Sequence, residues 1–299
     1  MSFSFDAKNE LCRLPVQKLC CARAEAYGIL LYCNTFSAAE VRIITENPNF
    51  AARLPKLFHR AFNLRFDRQP EPGAAGKMVF QITERRKLER ITDMLGYDPR
   101  QNLVLHINFA LLEEDCCRAS FLRGVFFAGG SITDPLKRYH LELTTSHQQA
   151  SRELEVLLRE SGYPPKSVAR NGSFVTYFKQ SDQIEDFLTL IGAPVAAMNV
   201  MGAKMEKDLR NSVNRRLNCD SANLDKAVLA AQEQLEAIRR LRAAGRLDRL
   251  PEKLKETAAL REAHPELSLS ELAETVDPPV TKSCISHRLR KLMELAKEL

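Results

Sequence analysis

The hydrophobic positions of the chain repeat at an offset of 96 residues. The apolar stretch at residues 121–134 resembles the one at residues 24–37, and alignment of Gly124 with Gly28 gives the offset 124 − 28 = 96. The offset is too long for a solenoid repeat, whose units are 20 to 50 residues in length. It indicates a duplicated half-domain, in which two equivalent helices pack about a pseudo-two-fold axis.

The periodicity of apolar positions predicts the order α-β-β-α-β-β-α in each half. In the first half we expect helices near 15–31, 48–62 and 88–95, and strands near 32–36, 41–45, 63–68 and 78–82. In the second half we expect helices near 115–128, 148–161 and 184–191, and strands near 131–133, 139–145, 167–170 and 174–179. Residues 1–14 are interpreted as a polar lead-in. The sequence therefore predicts an α+β domain with two central helices against two antiparallel sheets.

Gly28 and Gly124 give these two central helices small side chains at equivalent positions. Helices approach most closely where their side chains are smallest, so both glycines are predicted to lie at a helix–helix contact. A glycine can also simply relieve crowding in any core. Two copies with matched flanks and matched strand order favour the first interpretation. The arrangement resembles the LAGLIDADG homing-endonuclease fold.

That resemblance identifies two positions where the nucleases carry an acidic residue that holds a divalent metal. Here these degenerate metal positions are Cys33 and Gly129. Glycine has no ligand atom, and a thiol is a poor ligand for Mg²⁺, which prefers oxygen. The spacing of the nearby acids Glu25 and Asp134 does not replace the missing pair. We therefore expect no catalytic residue, no metal and no cofactor, and the protein is not expected to be an enzyme.

The remainder of the chain is predicted to be helical. Residues 199–223 form a polar linker with Asn211, Asn214 and Asn218 at helical spacing and arginines around them. This linker is either a solvated connecting helix or a segment that contacts nucleic acid or orients the two domains. An amphipathic helix is expected at 224–241 and another from residue 251. Ser268-x-x-Glu271 then predicts a capping box at the start of a short helix.

The last predicted helix, from about residue 281, separates an apolar face from a basic one. Ile285, Leu289, Leu292 and Ala296 follow helical spacing and are expected to pack inward. Between residues 281 and 297 there are five Lys or Arg residues and one acid, Glu294. A short helix, a tight turn and a basic second helix form a helix-turn-helix. A purely structural two-helix hairpin with a solvated basic face is the alternative.

Composition narrows the class of protein. The 299 residues carry a net charge of +6, and no segment is a polybasic arm, so any nucleic-acid contact must come from local patches. No apolar run reaches the length of a membrane span, and the N-terminus lacks the basic, apolar and small-residue order of a signal peptide, so a cytoplasmic location is expected. The eight cysteines include the vicinal pairs Cys20-Cys21 and Cys116-Cys117 but no C-x-x-C motif. They are interpreted as reduced, mostly buried thiols.

Taken together, the degenerate LAGLIDADG-like halves, the asparagine-rich segment at 211–223 and the C-terminal helix-turn-helix resemble the WhiA family over essentially the whole chain. The resemblance implies a bacterial DNA-binding transcriptional regulator of cell division and chromosome segregation, and of sporulation septation in some lineages. The expected domains are 1–198 (halves about 1–97 and 98–198), a linker at 199–223, and a helix-turn-helix domain at 224–299. Nucleoid association follows from the same resemblance.

Double-stranded DNA is the expected partner. The residues expected to contact it are Lys282, Ser283, Ser286, His287, Arg288, Arg290 and Lys291. Arg290 suits a guanine edge, whereas Arg288 and Lys291 suit phosphates. A second partner, either another transcriptional regulator or RNA polymerase, is left open, as is the oligomeric state. Two other hypotheses remain: a nucleoid or division-associated protein whose DNA binding is secondary, and a residual homing-type endonuclease.

Overall fold

A computed structural model describes residues 2–16, 18–71, 73–74, 76–97 and 104–299. The chain divides into two compact units, Met1–Asp208 and Leu209–Leu299. The division falls inside one continuous helix, Pro194–Ala243. This helix also passes through both ends of the predicted linker, at residues 198 and 223, so those domain boundaries stay a prediction.

The first unit has the predicted mixture of helices and strands. Its helices are α1 (Phe3–Cys12), α2 (Leu19–Tyr32), α3 (Pro48–Phe62), α4 (Arg85–Met94), α5 (Asp115–Gly129), α6 (Gln148–Glu160), α7 (Ser181–Ile191) and the first part of α8 (Pro194–Ala243). Its strands are β1 (Thr35–Phe36), β2 (Val41–Thr45), β3 (Met78–Ile82), β4 (Gly130–Ile132), β5 (Leu141–Thr145), β6 (Lys166–Arg170) and β7 (Ser173–Phe178). The fold class α+β is confirmed.

Two antiparallel sheets form within this unit, one in each half. The first has the order β1-β2-β3 and the second the order β4-β5-β7-β6. The prediction of a strand at 63–68 is wrong. The backbone of this segment makes only an isolated bridge, from Arg68 to Gln81. Leu64 and Phe66 are nevertheless buried. Pro70 follows closely, and a proline has no N–H with which to continue a ladder.

The N-terminal segment is also more ordered than its polar composition indicates. Instead of a lead-in, residues 3–12 form α1, because Ser2 caps its first turn and Ala7 and Leu11 bury one face. The helix expected from residue 15 begins at Leu19. The carboxylate of Glu10 in turn accepts hydrogen bonds from the N–H groups of Val195 and Ala196, at 2.7 and 2.9 Å, and caps the start of α8.

Helices α2 and α5 form the centre of the first unit, and their buried residues belong to one hydrophobic core with α3, α7 and the inner sheet faces. A Cβ atom at Gly28 would collide with the carbonyl oxygen of Phe121, and one at Gly124 with that of Glu25. Both obstacles are backbone atoms, which cannot rotate away. The two glycines therefore permit the close approach of these helices.

The second unit is entirely helical in regular structure. The last turns of α8 supply Ala237, Ile238 and Leu241 to a separate core, shared with α9 (Glu252–Ala263), α10 (Leu269–Glu274) and α11 (Lys282–Lys297). By contrast, every residue of α8 from 209 to 230 is exposed, including Leu224 and Val228 of the predicted amphipathic face. Only the C-terminal end of that face is buried.

Candidate nucleic-acid interface

The segment α10–turn–α11 begins with the predicted capping box, which is confirmed. The Ser268 Oγ accepts the N–H of Glu271 at 3.3 Å, and the Glu271 carboxylate accepts the N–H of Ser268 at 2.7 Å. The loop that leads into this box is organised by Arg261, which sequence reasoning missed. Its buried guanidinium donates to the carbonyl oxygen of Leu267 at 2.8 Å. A buried arginine in the last turn of a helix gives no periodic signal, so only the fold shows its role.

The turn from α10 to α11 is fixed at both ends. Val276 is buried in the core of the unit, and the N–H of Val280 donates to the carbonyl oxygen of Ala273 at 3.0 Å. Thr281 then caps α11, since its hydroxyl oxygen accepts the N–H of Cys284 at 3.3 Å. These contacts determine which face of α11 turns to solvent.

Helix α11 is divided into a buried face and an exposed face. The predicted inward residues are all at most 4% exposed: Ile285, Leu289, Leu292 and Ala296. The exposed residues include six of the seven expected to contact DNA, namely Lys282, Ser283, Ser286, His287, Arg290 and Lys291. Lys282, Ser283 and Ser286 lie in the first turns, where unpaired N–H groups and the helix dipole favour an anion.

Arg288, the seventh expected contact, lies elsewhere. Its side chain is only 12% exposed, and its Nη1 lies 3.8 Å from Glu256 Oε2 and 3.4 Å from Thr257 Oγ1, both on α9. The structure therefore does not bring Arg288 to the exposed face. It places this arginine between α11 and α9. Lys291 differs, since it is half-exposed and 3.6 Å from the equally exposed Glu294 of the same helix.

In the first unit, Cys33 occupies the first of the two degenerate metal positions, at the end of α2. Its Sγ donates to the carbonyl oxygens of Leu30 and Thr35, at 3.2 and 3.1 Å. Burial raises the pKa of this thiol to about 12. A thiol is also a soft ligand, which suits Mg²⁺ poorly because that ion prefers oxygen.

Gly129 occupies the second degenerate metal position, at the end of α5. A Cβ atom here would collide with the carbonyl oxygen of Thr144 and would lie 2.7 Å from Cδ1 of Tyr32. No carboxylate can occupy this position without a shift of the β5 backbone or the Tyr32 ring. The packing around the glycine thus excludes the second acid of the nucleases sterically as well as chemically.

The two nearby acids are committed to structural contacts. Glu25 is 2% exposed, and its carboxylate accepts hydrogen bonds from Arg53 at 2.6 and 2.9 Å and from Arg123 at 3.1 Å. Asp134 accepts the N–H of Leu136 at 2.9 Å in the loop after β4. Neither residue stands in for the missing acidic pair.

Further polar residues are exposed outside α11, on α8 and on the first unit. On α8 the asparagine stripe Asn211, Asn214 and Asn218 is exposed, together with Arg215 and Arg216. In the first unit the side chains of Arg42, Arg138 and Lys179 are exposed. The exposed stripe on α8 is compatible with either interpretation of the linker, a solvated connecting helix or a segment that contacts nucleic acid or orients the two domains.

None of the helices in the described part of the chain combines the length and the apolar character needed to cross a membrane. This includes the 50-residue α8, which carries charged side chains from Lys204 onward.

Comparisons with known proteins cover both units. The family model "WhiA LAGLIDADG-like domain" matches residues 118–210, and the model "WhiA C-terminal HTH domain" matches residues 213–296. The probable cell division protein WhiA of Ruminiclostridium cellulolyticum is 36% identical, over 100% of this chain and 98% of that protein. That of Alkaliphilus metalliredigens is 34% identical, over 99% and 98%.

Solved structures agree in fold. The crystal structure of full-length DUF199/WhiA from Thermatoga maritima matches with a TM-score of 0.60 at 22% identity, over 100% of this chain and 99% of that one. The LAGLIDADG-like duplication and the C-terminal helix-turn-helix expected from the sequence are thereby confirmed. The chain belongs to the WhiA family.

Proposed function

We propose that this protein is a DNA-binding transcriptional regulator that acts on cell-division genes and binds double-stranded DNA through α11. One observation carries the proposal. Helix α11 buries one complete face in the core of the second unit and exposes Lys282, Ser283, Ser286, His287, Arg290 and Lys291 on the other. A helix held in this way by a capped partner helix can enter a major groove with its first turns.

The chemistry of the exposed face divides into two roles. Arg290 can form a bidentate pair with the O6 and N7 atoms of guanine, and the hydroxyls of Ser283 and Ser286 can bond a phosphate or a base edge. Lys282 and Lys291 are point charges suited to phosphates, which position the protein without reading sequence. We assign Arg288 a structural role between α11 and α9 rather than a phosphate contact.

The relatives named probable cell division protein WhiA support a role in cell division. On that basis we propose a role in cell division and chromosome segregation, with sporulation septation in lineages that sporulate. Association with the nucleoid in the cytoplasm follows from DNA binding. Another transcriptional regulator, or RNA polymerase, is proposed as a second partner, and the exposed residues of α8 and of the first unit are available to it.

We further propose that the first unit does not cleave DNA. Cys33 offers only a thiol, whose pKa burial raises, Gly129 has no room for a side chain, and Glu25 is held by two arginines. A phosphodiester cleavage that uses two metals needs carboxylates at both positions. Incubation of plasmid and linear DNA with the purified protein and Mg²⁺ or Mn²⁺ is expected to give no cleavage. Cleavage that copurifies with the protein and is lost in Glu25→Gln would contradict this.

Footprinting on genomic fragments tests the regulatory role. A regulator protects discrete sites at a protein concentration that leaves neighbouring DNA open. The alternative, a nucleoid or division-associated protein with secondary DNA binding, coats fragments uniformly. Uniform protection at every concentration that gives any protection would overturn the proposal.

A further inference from the structure

The first unit brings two vicinal cysteine pairs together that are 96 residues apart in sequence (116 − 20 = 96). The Sγ atoms of Cys20, Cys21, Cys116 and Cys117 all lie within 4.8 Å of one another. All four are free thiols. The first pair lies in the first turn of α2, which begins at Leu19, and the second in the first turn of α5, which begins at Asp115. The duplication thus contributes half of the cluster from each copy.

The separation of these sulfur atoms matches that around a single tetrahedral metal ion. With metal–sulfur distances of about 2.3 Å, as in zinc sites, tetrahedral geometry puts the ligand atoms about 3.8 Å apart. Four thiols that are already within 4.8 Å need only small rotations to reach that arrangement. An iron–sulfur cluster would separate its thiolates further, because they bind different iron atoms.

The surroundings also suit the charge of such a site. Four thiolates and one divalent cation carry a net charge of −2. The first turns of two helices surround the cluster, and each presents unpaired N–H groups and the positive end of a helix dipole. Cys117 is buried, Cys21 and Cys116 are partly buried, and Cys20 is exposed, so an ion can enter from one side and then be enclosed.

We propose that Cys20, Cys21, Cys116 and Cys117 bind one Zn²⁺ ion, which joins the first turns of α2 and α5 at the pseudo-two-fold axis. Binding forms four zinc–sulfur bonds, and any ligand thiol that is protonated releases its proton to solvent. The set has four protein ligands and no open position, so the site is structural rather than catalytic.

The test measures metal on the full-length protein. Protein purified under reducing conditions and desalted is expected to contain one zinc ion per chain by elemental analysis. Replacement of zinc by Co²⁺ is expected to give the intense thiolate-to-cobalt charge-transfer absorption and the strong visible bands of a tetrahedral tetrathiolate site. Cys20→Ser, at the exposed ligand, is expected to lose most of the bound zinc. Cys219→Ser, at an exposed cysteine of α8, is the matched control and is expected to retain it.

A second measurement needs no variant. In the native wild-type protein, Cys20, the exposed ligand, is expected to resist a thiol reagent while zinc is bound and to react once a chelator has removed the zinc. Zinc below stoichiometry, equal zinc in the Cys20 and Cys219 variants, bound iron instead of zinc, or a disulfide within the cluster would each overturn the proposal.

Discussion

The carboxylate of Glu25 is held by the guanidinium of Arg53 through two hydrogen bonds, of 2.6 and 2.9 Å, inside the first unit. Both side chains are almost completely buried. The removal of one partner from a buried ion pair costs about 3–5 kcal/mol, and the expected cost here lies at the lower end because Arg123 still pairs with Glu25 at 3.1 Å. Arg53→Ala is therefore expected to lower the free energy of unfolding by about that amount, measured by urea denaturation of the full chain.

Arg85→Ala is the matched control for this prediction. Arg85 pairs with Glu89 at 2.8 Å, but both side chains are exposed, so the loss is expected to stay below about 0.5 kcal/mol. Equal losses in the two variants would show that the Glu25 network contributes no more than a surface pair.

The contact between α2 and α5 predicts an asymmetry among glycine variants. In Gly28→Ala the new Cβ meets the Phe121 carbonyl oxygen and the Val125 nitrogen, the latter at 2.8 Å, and backbone atoms must move. Overpacking of this kind costs about 1–3 kcal/mol or more. Gly202→Ala, on α8 with nothing within 4 Å of the new atom, is expected to gain about 1 kcal/mol from helix propensity. Thermal unfolding distinguishes the two, and a loss no greater for Gly28→Ala than for Gly202→Ala would contradict the packing geometry.

The buried Lys8 is expected to make the free energy of unfolding depend on pH. Its ammonium group is buried against α5, where it donates to the Phe127 carbonyl oxygen at 3.1 Å, and burial lowers its pKa to about 8. Between about pH 8 and the usual value near 10.5, the unfolded chain binds more protons at this residue than the native chain does. The contribution of Lys8 to stability therefore rises with pH through this window and is lowest below it.

Lys8→Met removes this dependence. The difference in unfolding free energy, wild type minus variant, is expected to be constant below about pH 8 and to increase towards about pH 10.5. Lys56→Met, at an exposed lysine of α3, is expected to show no such trend. A flat difference for Lys8→Met across the window would mean that the lysine keeps its ordinary pKa in the native chain.

Arg288 and Lys291 are expected to act differently although both are basic residues of α11. Arg288→Ala removes the contacts with Glu256 and Thr257, so it is expected to lower the stability of the second unit. Lys291→Ala is expected to leave stability unchanged, to weaken binding to all DNA sequences similarly, and to reduce the salt slope of binding by about one. Thermal unfolding and salt-dependent titrations measure both properties. A reversal of the two phenotypes would contradict the assignment of Arg288 to structure.

Sequence patterns predicted most of the helices and strands, because the local periodicity within each half and the match between the two halves indicate the same elements. The offset between Gly28 and Gly124 located the two central helices, and the spacing of Ile285, Leu289 and Leu292 gave the buried face of α11. The strand expected at 63–68 failed because alternation reports which side chains are buried, not whether the backbone finds a partner strand. Helix α1 was missed because its stability depends on contacts that are remote in sequence, such as Glu10 with the start of α8.

The candidate sites also differ in how far the sequence alone predicts them. The exposed residues of α11 follow from its periodicity, whereas Arg288 lies near the border between its faces and only tertiary contacts assign it to α9. The four-cysteine cluster could not be identified by spacing within one segment, since each copy supplies two adjacent thiols. The matched offset of Cys20-Cys21 and Cys116-Cys117 was the available signal. Its meaning depends on how the two copies pack.

The central claim is that α11 reads DNA sequence, and Arg290→Ala tests it most directly. Fluorescence anisotropy is measured at fixed salt on a duplex that carries a footprinted site and on a scrambled duplex, with Lys253→Ala of α9 as a control of equal charge. Arg290→Ala is expected to lose about 1–3 kcal/mol on the specific duplex and much less on the scrambled one, because a base contact is lost. The control is expected to keep the specificity of the wild type. Equal losses of Arg290→Ala on both duplexes, or no loss on either, would contradict the claim that this helix reads sequence.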